Sequence, residues 1–184
     1  MKPAERRKRL FRKSRPNIRP VVLMEDGKYG YDMGILWAAY KAGSFPLVED
    51  REMSNDDFAR YIIAHAMTMS EMVIAEDECG AFSAGRGPVA VIGMRNDGWT
   101  LEPHVDFFRW ASRRSILRVV VAFMQKVRYS KEVGVCVVKC LKDSRTLFRH
   151  ASEDYGVLHQ AGMIPKGSPR GDVLIYSAWG AKSE

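Results

Sequence analysis

Cysteine is scarce in this chain. Cys79, Cys136 and Cys140 are the only three in 184 residues, and no two stand at CxxC spacing. A small odd set argues against a disulfide scaffold and against a zinc site, so no metal is expected. It also makes a reducing compartment the default. Long apolar runs are missing too. No stretch of eighteen apolar residues occurs, so no helix is expected to span a membrane. The basic N-terminus is not followed by an apolar stretch, which argues against a secretory leader and leaves a mitochondrial presequence open. There is no internal repeat. What is present is a hydrophobic fraction of 46%, enough for a real core in a single domain.

Acid is nearly absent from one end. Residues 1–19 carry nine lysines and arginines against Glu5 alone, a charge of +8. The whole chain is +7, so the remainder holds 20 basic and 21 acidic residues, or −1. The sequence therefore divides into a basic arm, 1–19, and a near-neutral body, 20–184. Such an arm contacts nucleic acid, an acidic protein surface or a membrane face, unless it is a solvated tail. Its expected partner-binding residues are Arg6, Arg7, Lys8, Arg9, Leu10, Phe11, Arg12, Lys13 and Arg15. Leu10 and Phe11 sit inside the charge run "RKRLFRKSR", where apolar anchors favour docking to a protein. Pro16 and Pro20 favour an extended exit. With few core-forming residues, the arm is expected to be dispensable for the stability of the body.

The body alternates in period. "RPVVLMEDGKYG" gives a strand, Val21 to Met24, ended by a turn at Asp26–Gly27. "YDMGILWAAYKAG" is a helix stopped by Gly43, and "SNDDFARYIIAHAM" is a second, capped by Ser54 and Asp57. The second should bury Phe58, Tyr61, Ile62 and Ala66, with His65 at the rim. "MVIAEDE" is a strand, followed by a loose glycine-containing loop. A hairpin then turns at Asn96–Asp97–Gly98, and Pro103 within its second arm suggests a bulge. A long helix runs from Ser112 to about Arg128, burying Ile116, Val119, Val120 and Phe123. "GVCVVKC" is an interior strand, "SRTLFRHAS" a short helix, and "GVLHQAGM" and "DVLIYSAW" a closing pair. The link "IPKGSPRG" reads as all turn. This order predicts an α/β fold with a mixed, mostly antiparallel central sheet, flanking helices and a basic N-terminal arm. The fourth strand, long helix and fifth strand should form a parallel crossover.

The order, and the stretch "FFRWASRRSIL", resemble the GCN5-related N-acetyltransferase (GNAT) family. There a Gln/Arg-x-x-Gly-x-Gly/Ala turn opens the long helix, and its backbone N–H groups close on the acetyl-CoA pyrophosphate. The matching turn is Arg109, Trp110, Ala111, Ser112, Arg113 and Arg114. Arg109 fits, but Ser112 and Arg114 stand where the family has small residues. "LFRHASEDYGVLHQAG" is similar to the family's later helix and Gly-aromatic element, with Gly156 as the glycine. Ser152 stands where a general-acid tyrosine is common. The aromatic-rich turn is also similar to that of small acetyltransferase-like proteins of tailed bacteriophages. The resemblance implies a degenerate, non-catalytic GNAT-like protein without a cofactor. It implies a structural or assembly component of a virion, found in the particle or the host cytoplasm. The arm would then meet other virion proteins or nucleic acid, and several copies could assemble. The alternative is an active acetyl-CoA-dependent N-acetyltransferase with a divergent turn.

For that alternative the candidate bases are Glu102, His104 and Asp106. Period two puts them on one side of a strand, and acyl transfer to nitrogen needs a base near the amine. The same pattern also fits a solvent face. Arg113 and Arg114 oppose the helix dipole by about 0.3–1 kcal/mol each unless an anion is bound. Arg114 and Arg118, one turn apart, could share that anion. Trp110 could fill space a cofactor would otherwise use. Cys136 and Cys140 read as small core residues.

Overall fold

Among the described residues, fourteen elements follow one another in a computed structural model of the chain. They are α1 (Pro3–Leu10), β1 (Asn17–Pro20), β2 (Met24–Glu25), β3 (Lys28–Tyr29), α2 (Tyr31–Lys41), α3 (Asn55–Met67), β4 (Glu71–Glu78) and β5 (Arg86–Asn96). Then come β6 (Thr100–Phe107), α4 (Arg113–Arg128), β7 (Val135–Leu141), α5 (Arg145–Glu153), β8 (His159–Ser168) and β9 (Gly171–Trp179). The structure describes residues 2–45, 52–79, 82, 85–141, 145–168 and 171–179. Much of the expected loop after Glu78 lies outside them. One seven-stranded sheet has the order β1-β4-β5-β6-β7-β9-β8, and β2 and β3 form a separate pair. β6 and β7 run parallel, while β1–β4, β4–β5, β7–β9 and β8–β9 are antiparallel. This is the mixed, mostly antiparallel α/β sheet that the sequence implies. The chain divides into two compact units, and β6 and α4 each contribute to both.

One unit comprises Asn17–Arg95 and His104–Ile116. Its helices end where local chemistry stops them. At the end of α2, Gly43 takes φ 74°, and the Ser44 N–H returns to the Ala39 carbonyl at 2.9 Å. That left-handed backbone suits glycine because a Cβ would clash there. At the start of α3, Ser54 Oγ accepts the Asp57 N–H at 3.2 Å and donates to its carboxylate at 2.7 Å. The core gathers Leu36, Tyr40, Phe45, Phe58, Ile62, Ile74, Val91 and Phe108. Tyr40 and Phe58 stack at 4.8 Å. Each such side chain contributes about 1.5–3 kcal/mol by leaving water. Tyr61 and Ala66 of the expected α3 face are only half-buried, and Ala59 is buried instead.

The first strand lies earlier than expected. Asn17–Pro20 pairs with Val73–Glu76 of β4, and Met24–Glu25 pairs across the Asp26–Gly27 turn with β3. Tertiary pairing sets that register, and Pro20 is tolerated because β1 is an edge strand. The division at 19/20 therefore falls inside β1. Arg19, counted in the arm, grips Asp32 through two hydrogen bonds of 2.7 and 2.8 Å and reaches Glu76 at 2.9 Å. Burial works to raise the Asp32 pKa. The Arg19 guanidinium and the Val22 N–H win, holding it below the usual carboxylate range.

The other unit comprises Met1–Pro16, Asn96–Pro103 and Leu117–Glu184. Its Asn96–Gly98 turn forms as expected. Asp97 Oδ1 accepts the N–H groups of Trp99 at 3.0 Å and Thr100 at 2.6 Å. β6 runs unbroken through Pro103, which is buried. Thr100 and Leu101 register with Val135 and Cys136 of β7. From Leu117 onward, α4 buries Val119, Val120, Val121, Phe123, Met124 and Val127. Phe148 of α5 packs on Tyr176 of β9 at 5.7 Å. The "IPKGSPRG" link is not all turn, because β8 extends to Ser168. Its register shifts between Ile164 and Ser168, which lets the strand carry Pro165 without a backbone donor.

Candidate functional site

The turn that opens α4 is built from its own side chains. The Phe108 N–H reaches the Val89 carbonyl at 2.9 Å, which ends β6 against β5. Arg109 then turns back on α2. Its N–H meets Ser44 Oγ at 3.0 Å, and its Nε donates to the Gly43 carbonyl at 2.8 Å. Trp110 donates from its indole to the Pro88 carbonyl at 2.8 Å and packs on Phe108 at 5.1 Å. Its carbonyl faces the Cys79 thiol at 3.8 Å. The Ala111 N–H closes the turn on the Phe108 carbonyl.

Ser112 caps α4. Its Oγ accepts the Ser115 N–H at 3.0 Å, the bond an N-cap makes to the third helical residue. Ser115 Oγ passes on to the Glu78 carbonyl at 2.6 Å. A pyrophosphate cradle needs bare backbone donors at such a turn. Here Ser112 Oγ takes one donor of the helix N-terminus and the Arg109 guanidinium is bound to the Gly43 carbonyl. The turn departs from the family's glycine pattern at Ser112 and Arg114. Arg113 and Arg114 point to solvent. Arg118 does not join Arg114 on a shared anion, because it is buried at 1% exposure.

The three β6 carboxyl and imidazole candidates meet different surroundings. Glu102 is drawn to Lys139 of β7, Oε1 to Nζ 2.7 Å. That pairing occupies its carboxylate. In the other unit, His104 buries its Nε2. Asp106 is partly buried, and loss of water pushes its pKa up to about 6. Asp106 is thus the candidate whose proton affinity approaches neutrality, as a general base requires. Cys136 and Cys140 are buried. Burial pushes the Cys136 thiol up to about 12 and the Cys140 thiol up to about 11.

The basic arm is neither bare nor wholly outward. α1 lies on its own unit. Arg6 pairs with Asp154, and Arg7 donates to the Tyr155 carbonyl, both just past α5. Asp154 also bonds His150 Nδ1 at 2.6 Å, and His150 first, then Arg6, holds its carboxyl below the usual range against desolvation. Gly156 has φ 60°, and a Cβ there would touch Pro3 at 3.4 Å. Arg118 donates to the carbonyls of Leu10 at 2.7 Å and Ser14 at 2.8 Å, and to Ser14 Oγ at 2.9 Å. Its guanidinium also lies over the Phe11 ring at 5.8 Å.

So Arg6, Arg7, Leu10, Phe11 and Ser14 are half-buried, while Lys8, Arg9, Arg12, Lys13 and Arg15 are exposed. Sequence reasoning paired Arg118 with Arg114 and missed that it holds the arm. Its signal is a charged residue set inside the apolar stripe of α4. Among the described residues, no cluster of His, Cys, Asp or Glu could hold a metal ion. Among those residues no helix is long and apolar enough to cross a membrane.

The architecture is that of the GNAT acyl-CoA N-acyltransferase fold. A chimeric spermidine N-acetyltransferase from Vibrio cholerae superposes with a TM-score of 0.61 at 12% identity, over 92% of this chain and 99% of that one. RimL, a ribosomal α-N-protein acetyltransferase in complex with coenzyme A, gives 0.65 at 11% identity, over 94% and 97%. A GNAT-family acetyltransferase from Bacillus anthracis gives 0.61 at 13%, over 90% and 95%. At such identities the likeness is one of fold. No family model matches the sequence, and no curated protein matches it.

Proposed function

We propose that this chain is a non-catalytic GNAT-fold protein that serves as a structural or assembly component. A tailed-phage virion is the setting suggested by its aromatic-rich turn. The observation that carries the non-catalytic reading is the Ser112 cap. A side-chain oxygen of the chain satisfies a donor at the helix N-terminus where the family's turn receives phosphate. The bound Arg109 and the Trp110 indole support the same reading, as does Ser152 in place of an acidic tyrosine. Titration calorimetry with acetyl-CoA tests it. The expected dissociation constant is weaker than about 1 mM, or less than about 4 kcal/mol of binding. Micromolar binding that is lost in Arg109→Ala or Ser112→Ala would overturn it. Mass spectrometry of purified particles tests the setting separately.

A second reading, an acetyl-CoA-dependent N-acetyltransferase, is favoured by Asp106. A carboxyl poised near 6 could take a proton from an ammonium acceptor. On this reading, acetyl transfer to amines is abolished in Asp106→Asn.

A further inference from the structure

The arm's charge is sorted by the fold, and the sorting decides what the arm can hold. Arg6, Arg7 and Leu10 are half-buried on one face of α1, and Phe11 and Ser14 just beyond it are half-buried as well. That face is spent on Asp154, the Tyr155 carbonyl and Arg118. The apolar anchors that would favour docking to a protein are therefore used within the chain. The opposite side presents Lys8, Arg9, Arg12 and Lys13 to solvent, and Arg15 is exposed beside the Phe11 ring at 5.6 Å. Among the described residues, no carboxylate pairs with Lys8, Arg9, Arg12 or Lys13. The C-terminal end of α1 favours Lys8 and Arg9 by its dipole. It does not account for Arg12, Lys13 and Arg15, which lie beyond the last helical residue, Leu10.

This exposed run of like charge attracts a dense anion. Arg118 and the Arg6 ion pair fix the segment that carries them, so little backbone freedom remains to be lost on binding. A nucleic-acid duplex offers one negative charge per about 1.7 Å of axis. A protein partner would want apolar anchors between the charges, and those face inward.

We propose that the outward face of the N-terminal segment, Lys8, Arg9, Arg12, Lys13 and Arg15, binds the phosphate backbone of nucleic acid without regard to base sequence. This holds whether or not the chain transfers acyl groups.

The test is fluorescence anisotropy of the full chain with two labelled duplexes of unrelated sequence across a salt series. Five neutralised phosphates predict a slope of log K on log salt of about −4.5, or about a 500-fold loss between 50 and 200 mM. Both duplexes should bind alike. Gln at Lys8, Arg9, Arg12 and Lys13 together should leave a slope near −1 and unchanged circular dichroism, since all four side chains are exposed. Lys8→Arg with Lys13→Arg should bind as the parent does. Arg113→Gln with Arg114→Gln, equally exposed on the other unit, should leave the slope as it is. A flat salt dependence overturns the proposal, as does a quadruple variant that binds as the parent. Polyglutamate binding as tight as DNA would assign the face to acidic protein. Tighter binding to anionic lipid vesicles would assign it to a membrane.

Discussion

Replacing Arg118 with Met should undock the N-terminal segment without unfolding the rest. Arg118 is buried, and its guanidinium makes three hydrogen bonds to Leu10 and Ser14. Hydrogen bonds to a charged group contribute about 1.5–3 kcal/mol each, and each carbonyl left buried without a donor costs about 1–3 kcal/mol. Methionine keeps much of the volume but none of the donors. The intact-segment penalty is thus on the order of 5 kcal/mol or more. The chain has a cheaper course, which is to release residues 3–14 to water. α1 has only eight residues. A helix that short is marginal alone, because its nucleation cost is not recovered within two turns. Undocking should therefore melt it. Hydrogen exchange read by mass spectrometry gives the answer. Amide protection over residues 5–11 should fall to that of a disordered peptide, while protection in β7 and β9 stays within a few-fold of the parent. Preserved protection of those amides in Arg118→Met would refute the reasoning, and would mean that Arg6 and Arg7 alone hold the segment.

Asp106 predicts a pH dependence of stability. Its folded pKa is raised, so between about 4 and 6 the unfolded chain ionises first and the folded state loses ground as pH rises. The gap corresponds to about 3 kcal/mol at most, reduced to roughly 1–2 by residual solvent contact. Asp106→Asn should lack this slope, so urea melts should show the variant gaining on the parent from pH 4 to 7 and level above that. Equal slopes would refute it. Cys136 and Cys140 should stay unmodified by a thiol reagent at pH 8 in the folded protein and react fully in denaturant, followed by absorbance. Fast native labelling of either would contradict their burial and raised thiol pKa.

Features written in local chemistry were legible in the sequence. Gly43 had to end α2, Ser54 and Asp57 had to start α3, and Asn96–Asp97–Gly98 had to turn the hairpin. Each depends only on a residue and its near neighbours along the chain. The alternation of Cys136, Val138 and Cys140 likewise set their common buried side. The order of elements from α2 onward was legible for the same reason, and with it the fold, whereas α1 and the β2–β3 pair were not. The position of the turn at Arg109–Arg114 followed from that order. What the turn does with its side chains did not. That Trp110 finds the Pro88 carbonyl, and Arg109 the Gly43 carbonyl, depends on segments 22 and 66 residues away in sequence.

The same limit governs the arm. Composition marked residues 1–19 as basic, but charge is a sum and carries no direction. Only the packed chain decided that Asn17–Pro20 forms a sheet edge, that Arg118 lies buried over Phe11, and that one side of α1 faces in and the other out. Glu102 and Asp106 show it most simply. Two carboxylates four residues apart on one strand are equivalent in sequence, yet one meets Lys139 and the other loses water. Coulomb attraction and desolvation act through space, and that space exists only after the strands have paired.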